Sequence, residues 1–181
     1  MGKAILLTGA PGSGKTTALK KIISRLTVKS GGFYTQEIRD AGVRVGFKIV
    51  TLDGQEGILS HIEIKGQPRI GKYGVNLEAI DAVAVASIRR AKEEASIIIL
   101  DEIGPMEILS ETFCQVVMEI LESELDVLGS IVKRRLPFSD AVKVHPKVTV
   151  LEIQGRNRHR IVDQVLELLE VSMKQSRDNS S

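Results

Sequence analysis

The sequence predicts an α/β fold: a mostly parallel sheet that is covered by helices on both faces and extended by antiparallel strands. Three observations predict it. Short apolar runs alternate with helical patterns along most of the chain, which is typical of parallel sheets. Residues 32–64 instead carry consecutive β-branched and aromatic segments separated by turn residues, which is typical of antiparallel strands. The 181 residues are the size of one domain, so we expect a single domain over 1–174 and a disordered polar tail over 175–181.

The first half of the chain begins with a buried strand and an amphipathic helix. Residues 3–8 are a short apolar run, and a glycine-rich turn follows them. Apolar residues then recur at helical spacing from Lys15 to about Leu26, with basic residues on the other face. The predicted antiparallel strands are GFYTQEIR, VRVGFKIVTL and ILSHIEI. We expect residues 65–74, which contain three glycines and a proline, to form a loop.

The second half of the chain alternates helices with strands. Asn76 is the expected N-cap of a helix over residues 77–95, and Ser110 is that of a helix ending near Leu125. The last helix is predicted from residue 158 to about 173. The strands predicted in this half are 96–100, 127–132 and 147–153. Their alternation with helices supports the parallel part of the sheet.

Composition and charge argue against several classes of protein. The net charge is +2, with 25 basic and 23 acidic residues, which is too balanced to indicate a nucleic-acid or membrane-surface protein. Aromatic residues make up only 3%, so base-stacking platforms are scarce and a nucleic-acid partner is not expected. No apolar run reaches the roughly 18 residues that span a bilayer. The single cysteine, Cys114, favours a reducing, cytoplasmic location. The oligomeric state stays open, with a monomer favoured.

Residues 9–16 read GAPGSGKT and fit the phosphate-loop pattern G-x-x-x-x-G-K-[ST] between a predicted strand and a predicted helix. The backbone N–H groups of such a loop surround a phosphate, and the helix dipole adds positive charge. We therefore expect nucleoside triphosphates as ligands. Lys15 is expected to act on the β- and γ-phosphates in catalysis, and the Thr16 hydroxyl to ligate Mg²⁺. The nucleotide-binding residues expected here are Gly9, Ala10, Pro11, Gly12, Ser13, Gly14, Lys15, Thr16 and Thr17.

The stretch IIILDEIGPME, residues 97–107, places two adjacent carboxylates at the end of a strand. Asp101 fits the acid that helps hold Mg²⁺ in phosphate-loop proteins, here through a water molecule, and it counts among the expected nucleotide-binding residues. Glu102 is the expected catalytic base, because a carboxylate in this crevice can orient a water towards the γ-phosphate and accept its proton. The alternative is that Glu102 caps or salt-bridges a loop residue.

The residues after the two acids form a turn. Gly104 and Pro105 keep the chain out of a helix, which leaves both acids in the crevice, and Gly104 is also an expected nucleotide-binding residue. For Glu107 we expect a solvated loop acid; support of the metal's outer shell is the alternative. The three histidines share no metal-ligand spacing, so no transition-metal site is expected.

Two basic clusters are candidates for stabilising charge that develops on the transferred phosphoryl group. The stretch KRRLPFSDAVKVHPK, residues 133–147, fits either a mobile lid or a plain solvated loop, with Arg134 as the position to test. The stretch RNRHR, residues 156–160, lies where the last helix begins, a place that disfavours cations unless they meet an anion. Asn157 is expected to cap this helix, and Arg158 to face the nucleotide.

The combination of motifs resembles one family, the small P-loop nucleoside-triphosphatases of thermophilic bacteria and archaea, relatives of the vertebrate cancer-related nucleoside triphosphatase. The resemblance covers nearly the whole chain. It is carried by GAPGSGKTT, GFYTQEIR with VTL-x-G, RIGKYGVNLE, DEIGPME and the Asn-Arg pair at 157–158. It implies a RecA-like three-layer sandwich with a mixed sheet. It also implies slow, Mg²⁺-dependent hydrolysis of ATP, GTP, CTP and UTP. One departure is Gln36, where the family often has Glu.

Two other classes of function stay open from the residues alone. A small nucleotide or nucleoside kinase also joins a phosphate loop to a basic lid, but it needs an acceptor pocket. A nucleotide-controlled switch or a nucleic-acid-stimulated ATPase is the other class, although no N-K-x-D stretch indicates guanine recognition. The physiological substrate, the pathway, the base selectivity and the order of strands in the sheet cannot be read from the residues.

Overall fold

The computed structural model describes residues 2–66 and 68–178, with side chains up to Glu170. The strands are β1 (Ala4–Thr8), β2 (Ser30–Asp40), β3 (Val43–Thr51), β4 (Glu56–His61), β5 (Arg69–Ile70), β6 (Tyr73–Val75), β7 (Ile97–Ile103), β8 (Asp126–Ile131) and β9 (Val148–Glu152). The α-helices are α1 (Lys15–Ile23), α2 (Leu77–Ala79), α3 (Ala86–Glu94), α4 (Glu111–Leu121), α5 (Pro137–Lys143) and α6 (Arg158–Asp178). A π-helical segment, Ile80–Val85, joins α2 to α3, and a 3-10 turn, Glu107–Leu109, precedes α4.

One mixed sheet has the strand order β5-β6-β4-β3-β2-β7-β8-β1-β9. Its parallel part runs from β2 to β9, with Phe33 paired to Leu100 and Leu7 to Ser130. The inner strands β1, β7 and β8 are buried on both faces, which explains their continuous apolar sequences. Parallel strands end at the same edge of a sheet, so the ends of β1, β7 and β8 meet there. The phosphate loop and both acids of the DE pair are thus brought together.

The antiparallel part is built on the second half of β2. Beyond Phe33 this strand pairs with β3, which pairs in turn with β4. The predicted three-strand antiparallel block is therefore confirmed. The predicted loop over 65–74 is wrong in one respect, because it contains β5 and most of β6, joined as a two-stranded antiparallel pair. Strands of two and three residues carry too few side chains for a period-two pattern to be visible.

The sheet is the middle of three layers. One apolar cluster contains Phe33 and Leu100 with Ile88 of α3 and Phe113 of α4, and the rings of Phe33 and Phe113 meet edge to face at 6.1 Å. A second cluster contains Leu7, Ile99 and Leu128 of the sheet with Leu19 of α1 and Val165 of α6. Neighbouring residues of one strand alternate between the clusters, as the pleat of a strand requires. The predicted three-layer α/β sandwich is confirmed.

Side-chain caps begin two helices where the sequence predicts them. The Asn76 amide oxygen accepts a hydrogen bond from the N–H of Ala79, and the Ser110 hydroxyl accepts one from the N–H of Phe113, both at 3.0 Å. The helix α4 ends at Leu121, before the predicted Leu125. The segment after Asn76 is helical throughout 77–94, but part of it is π-helical.

One prediction at the C-terminal side needs correction. The basic stretch 133–147 is not an irregular loop throughout, because Pro137 begins the helix α5 with the fixed φ that suits a first helical position. The backbone of α6 continues to Asp178, and residues 179–181 lie outside the described residues, so the disordered tail over 175–181 stays a prediction. Among the described residues, no helix has the length and apolar character needed to cross a bilayer.

Candidate active site

The phosphate loop joins the end of β1 to the start of α1. Gly12 has a φ of 77° and Gly14 one of 96°, left-handed conformations that glycine adopts without steric cost. Successive residues of this kind turn backbone N–H groups towards one concavity, which attracts an anion. The Ser13 hydroxyl is buried without a hydrogen-bond partner among the described atoms. A phosphate oxygen held in this loop can supply the missing partner, so the loop fits the group for which it is predicted.

Lys15 spans the mouth of the loop. Its Nζ donates to the carbonyl oxygen of Gly9 at 3.2 Å and lies 4.0 Å from Oε1 of Glu102. The Lys15 side chain is only 12% exposed, so its charge acts in an environment that screens it weakly. The cation that the motif assigns to the β- and γ-phosphates therefore lies directly beside the acid predicted to activate water.

Asp101 is fully buried and accepts hydrogen bonds from two hydroxyl groups. Its Oδ2 accepts a hydrogen bond from Thr16 Oγ1 at 2.8 Å, and its Oδ1 accepts one from Ser130 Oγ. Burial raises the pKa of Asp101, while the two hydroxyl groups and the charge of Lys15 act in the opposite direction. No local pattern in the sequence identifies Ser130, because its hydrogen bond to Asp101 depends on β8 lying next to β7.

The pair of Thr16 and Asp101 fits a magnesium site. Both are oxygen ligands, and Mg²⁺ is usually held in proteins by one or two such groups together with phosphate oxygens and water. In the part of the chain that the structure describes, no group of three or more His, Cys, Asp or Glu residues could hold a metal ion. A metal at this place would therefore depend on the bound phosphates for its remaining ligands.

Glu102 lies between the buried interior and the open crevice. Its side chain is 31% exposed. Burial raises its pKa, the charge of Lys15 lowers it, and the neighbouring Asp101 raises it further. The peptide bond between Asp101 and Glu102 is cis. The only ion pair of Glu102 among the described residues is the 4.0 Å pair with Lys15, so this carboxylate is available to a water molecule.

Glu107 is not the solvated acid that the sequence predicts. Only 4% of the residue is exposed, and its Oε2 lies 2.9 Å from the place where a Cβ atom on Gly104 would stand. Burial, and next the charge of Glu102, raise the pKa of Glu107 to about 8. This residue is therefore mostly neutral at pH 7. Sequence reasoning fails here because an acid in a Gly-Pro turn is usually exposed, and only the packing of the turn buries it.

Arg158 lies over the phosphate loop. A Cβ atom added to Gly14 would stand 3.0 Å from its Nη1, so the guanidinium packs against the backbone at the start of α1. Its Nε is buried without a hydrogen-bond partner among the described atoms. The structure thus brings Arg158 to the phosphate loop, and its contact with a nucleotide stays a prediction. Asn157 does not cap α6 with its side chain: its amide accepts from the N–H of Gln154 and donates to the carbonyl of Glu152.

Arg134 lies on the segment that leaves β8 at the same edge of the sheet. Both neighbouring cations form ion pairs: Lys133 pairs with Glu152 at 2.6 Å and Arg135 with Asp140 at 3.4 Å. Lys143 donates to the carbonyl oxygens of Lys133 and Arg134, which ties the segment to α5. Arg134 is exposed and forms no ion pair with any other described residue.

Gln36, the one departure from the family pattern, lies away from the parallel part of the sheet. It occupies the antiparallel half of β2, opposite Lys48 of β3. Lys48 itself pairs with Glu56 at 2.8 Å.

A protein-family model described as NTPase matches residues 4–166. The chain belongs to this NTPase family. The match includes the phosphate loop, the DEIGPME stretch and Arg158, so all of the site described above lies within the family's extent. The family named from the sequence motifs is confirmed.

Individual relatives agree with this NTPase assignment. The chain is 47% identical over 165 residues to nucleoside-triphosphatase THEP1 of Thermotoga sp. strain RQ2, covering 91% of this chain and 94% of the relative. It is 45% identical over 177 residues to THEP1 of Thermotoga petrophila, covering 98% of each. The crystal structure of THEP1 from Aquifex aeolicus superimposes with a TM-score of 0.85 at 36% identity, over 92% of this chain and 99% of that one. The solution structure of a human cancer-related nucleoside triphosphatase gives 0.80 at 31% identity, over 94% and 98%.

Proposed function

We propose that the protein is a Mg²⁺-dependent phosphohydrolase that converts nucleoside triphosphates and water to diphosphates and phosphate, with little selectivity for the base. The observation that carries the proposal is the position of Glu102, whose carboxylate faces Lys15 Nζ at 4.0 Å at the mouth of the phosphate loop. A base beside the cation that binds the γ-phosphate is what in-line attack by water requires. The names of the relatives, all nucleoside-triphosphatase, agree with this reaction.

Binding depends on the loop and on Arg158. The backbone N–H groups of the loop Gly9–Thr17, of which Pro11 contributes none, surround the phosphates, and Lys15 releases the Gly9 carbonyl to bind the β- and γ-oxygens. Arg158 supplies a second cation over Gly14, where its unpartnered Nε and its guanidinium face can meet the nucleotide. Thr16 and Asp101, the latter through a water molecule, would hold Mg²⁺, which would supply positive charge beside the phosphates.

The chemical step uses Glu102 as the base. The water oxygen attacks the γ-phosphorus, the bond between this atom and the β–γ bridging oxygen breaks, and the water proton passes to Glu102. Lys15 stabilises the negative charge on the phosphoryl oxygens. Arg134 is the second candidate for this role, because it lies at the same edge of the sheet and forms no ion pair with the described residues. We expect little selectivity for the base, because the proposed charged contacts are with the phosphates, which all four nucleotides share.

One assay separates this reaction from the alternatives. The protein is incubated with ATP, GTP, CTP or UTP, with Mg²⁺ or with EDTA, and with or without nucleosides, monophosphates, DNA or RNA, and free phosphate is measured. We expect Mg²⁺-dependent release from all four nucleotides without an acceptor, with rates within about tenfold of each other. Phosphate release only with nucleic acid would instead indicate a stimulated ATPase. A phosphorylated acceptor with little free phosphate would indicate a kinase.

Asp101→Asn tests the metal part of the proposal. The amide keeps the size of the side chain but removes the charge that holds the cation. We expect the Mg²⁺-dependent rate to fall at least about a hundredfold. Exposed Asp163→Asn, on α6, is the matched control and should leave the rate unchanged. A cytoplasmic location is part of the same proposal, supported by the single free cysteine, Cys114.

A further inference from the structure

Glu107 is a buried carboxyl group that the proposed mechanism does not use. The N–H groups of Gly104 and of Glu107 itself donate hydrogen bonds to it. Within the described part of the chain, no lysine or arginine pairs with it. Burying an acid costs free energy even when its hydrogen bonds are satisfied, and an apolar side chain of similar size would avoid that cost. A polar side chain at this position is therefore explained by something other than packing.

Glu107 and Glu102 pack against the same backbone position. A Cβ atom added to Gly104 would lie 2.9 Å from Glu107 Oε2, 3.3 Å from Glu102 Cγ and 3.4 Å from Glu102 Cδ. Because Gly104 has no side chain, both glutamates approach its backbone closely. The two glutamate side chains thus lie together against the Gly104 backbone, around the position that a side chain of this residue would occupy.

The rest of the turn adds hydrogen bonds that hold this arrangement. The carbonyl of Gly104 accepts from the N–H of Ile108, and that of Glu107 accepts from the N–H of Ser110, each at 3.1 Å. Ser110 then caps α4, so the turn is continuous with a helix of the core. A side chain that anchors the Gly104 N–H consequently anchors the surface against which Glu102 lies.

We infer that Glu107 is a positioning residue, which fixes the Gly104 backbone and so keeps the Glu102 carboxylate beside Lys15 and directed at the attacking water. The inference rests on the proposed role of Glu102. What the position requires is an acceptor for the two N–H groups together with the volume of the side chain. A negative charge is not required, and the raised pKa of Glu107 agrees with a neutral group at pH 7.

Two substitutions separate hydrogen bonding from volume. Glu107→Gln keeps both the size and an acceptor oxygen, so kcat should stay within about threefold of the unmodified protein. Glu107→Leu keeps most of the size but accepts no hydrogen bond. We expect it to lower kcat about ten- to a hundredfold while KM stays within about threefold, because a misdirected base affects the chemical step alone. Glu111→Leu, the same change at an exposed position of α4, is the matched control.

A double-mutant cycle tests whether Glu107 acts through Glu102. In a Glu102→Gln background, adding Glu107→Leu should change the residual rate by less than about twofold, because the group being positioned is already gone. The inference is overturned if Glu107→Leu has normal kcat, or if it causes the same fold loss in both backgrounds. Full-rate hydrolysis by Glu102→Gln alone would instead overturn the proposed function.

Gly104→Ala disturbs the contact between Gly104 and Glu107 without changing Glu107. It therefore tests the inference even if Glu107→Leu does not fold. Its new Cβ atom would press on Glu107 Oε2 at 2.9 Å. We expect a loss of kcat similar to that of Glu107→Leu, and a normal kcat in this variant would also overturn the inference. Circular dichroism spectra and melting curves establish that each variant is folded before its rate is compared.

Discussion

At the scale of single residues, the environment divides the acids of DEIGPME into three states. Asp101 is buried with both oxygens bound by hydroxyl groups, Glu102 is part-exposed beside Lys15, and Glu107 is buried with a pKa of about 8. The first arrangement suits a metal ligand, the second a base, and the third a neutral acceptor of hydrogen bonds. Adjacent residues of the same chemical type thus serve different purposes because their surroundings differ.

The buried state of Glu107 predicts how stability changes with pH. Its folded pKa of about 8 lies above the value of 4.5 for an unperturbed glutamate, so the folded state binds a proton that the unfolded state has released. This contribution is fully present below pH 4.5 and is lost as pH rises through 8. Relative to Glu107→Gln, the unmodified protein should lose roughly 1–4 kcal/mol of unfolding free energy between pH 5 and pH 9.

Urea unfolding of both proteins in EDTA measures this difference. Asp101 and Glu102, whose pKa values are also raised, contribute to the pH dependence of both proteins, so the comparison isolates position 107. Glu111→Gln should follow the unmodified protein at every pH. Parallel curves for Glu107→Gln and the unmodified protein would show that Glu107 is not buried as a neutral acid.

At the scale of elements, the site depends on how the start of α6 meets the start of α1. Arg158 is the first residue of α6 and packs on Gly14, which directly precedes α1. Further along, Arg25 and Asp163 join the two helices through an exposed ion pair of 3.0 Å. The first contact places a cation over the phosphate loop, whereas the second lies on the surface and is screened by solvent.

Replacing each of these arginines separates binding from surface charge. Arg158→Ala should weaken the binding of a triphosphate analogue about tenfold, because a cation with a buried, unpartnered nitrogen is removed from the loop. Arg25→Ala should leave binding unchanged, since an exposed ion pair contributes little. Isothermal titration calorimetry at one ionic strength compares the two. Equal affinity in both variants would remove Arg158 from the binding site.

Local patterns in the sequence predict some elements of the site and not others. The spacing of GAPGSGKT and the caps Asn76 and Ser110 act over a few residues, and the structure has the loop and both caps where they are predicted. Ser130 could not be found, because its bond to Asp101 depends on which strand lies beside β7. Helix α5 was not predicted because its seven residues are too few to show a clear helical period.

At the scale of the whole molecule, the parallel half of the sheet carries the site and the antiparallel half extends it. The alternation of elements was enough to predict both halves, because the burial of parallel strands and the exposure of antiparallel ones leave different patterns. The order of strands was not predictable, since strands distant in sequence, such as β1 and β8, pair only in the folded sheet. The burial of Glu107 is a consequence of the same long-range packing.

In the proposed complex the nucleotide binds across the ends of β1 and β7 and the start of α1, so it should stabilise the entire fold. At about 100 times its Kd, a non-hydrolysable triphosphate with Mg²⁺ should add about 2.7 kcal/mol of unfolding free energy. For a chain of this size, that corresponds to a rise in Tm of roughly 5–10 °C. Lys15→Ala should show little or no rise, as followed by differential scanning fluorimetry. An equal rise in this variant would mean that the nucleotide binds elsewhere.

The central proposal is that Glu102 activates the attacking water. Single-turnover hydrolysis of ATP by Glu102→Gln tests this role most directly, with nucleotide affinity measured on the same sample and Glu111→Gln as the control. We expect the affinity to stay within about threefold of that of the unmodified protein and the rate constant to fall by at least about a hundredfold. Hydrolysis at the full rate with normal binding would contradict it.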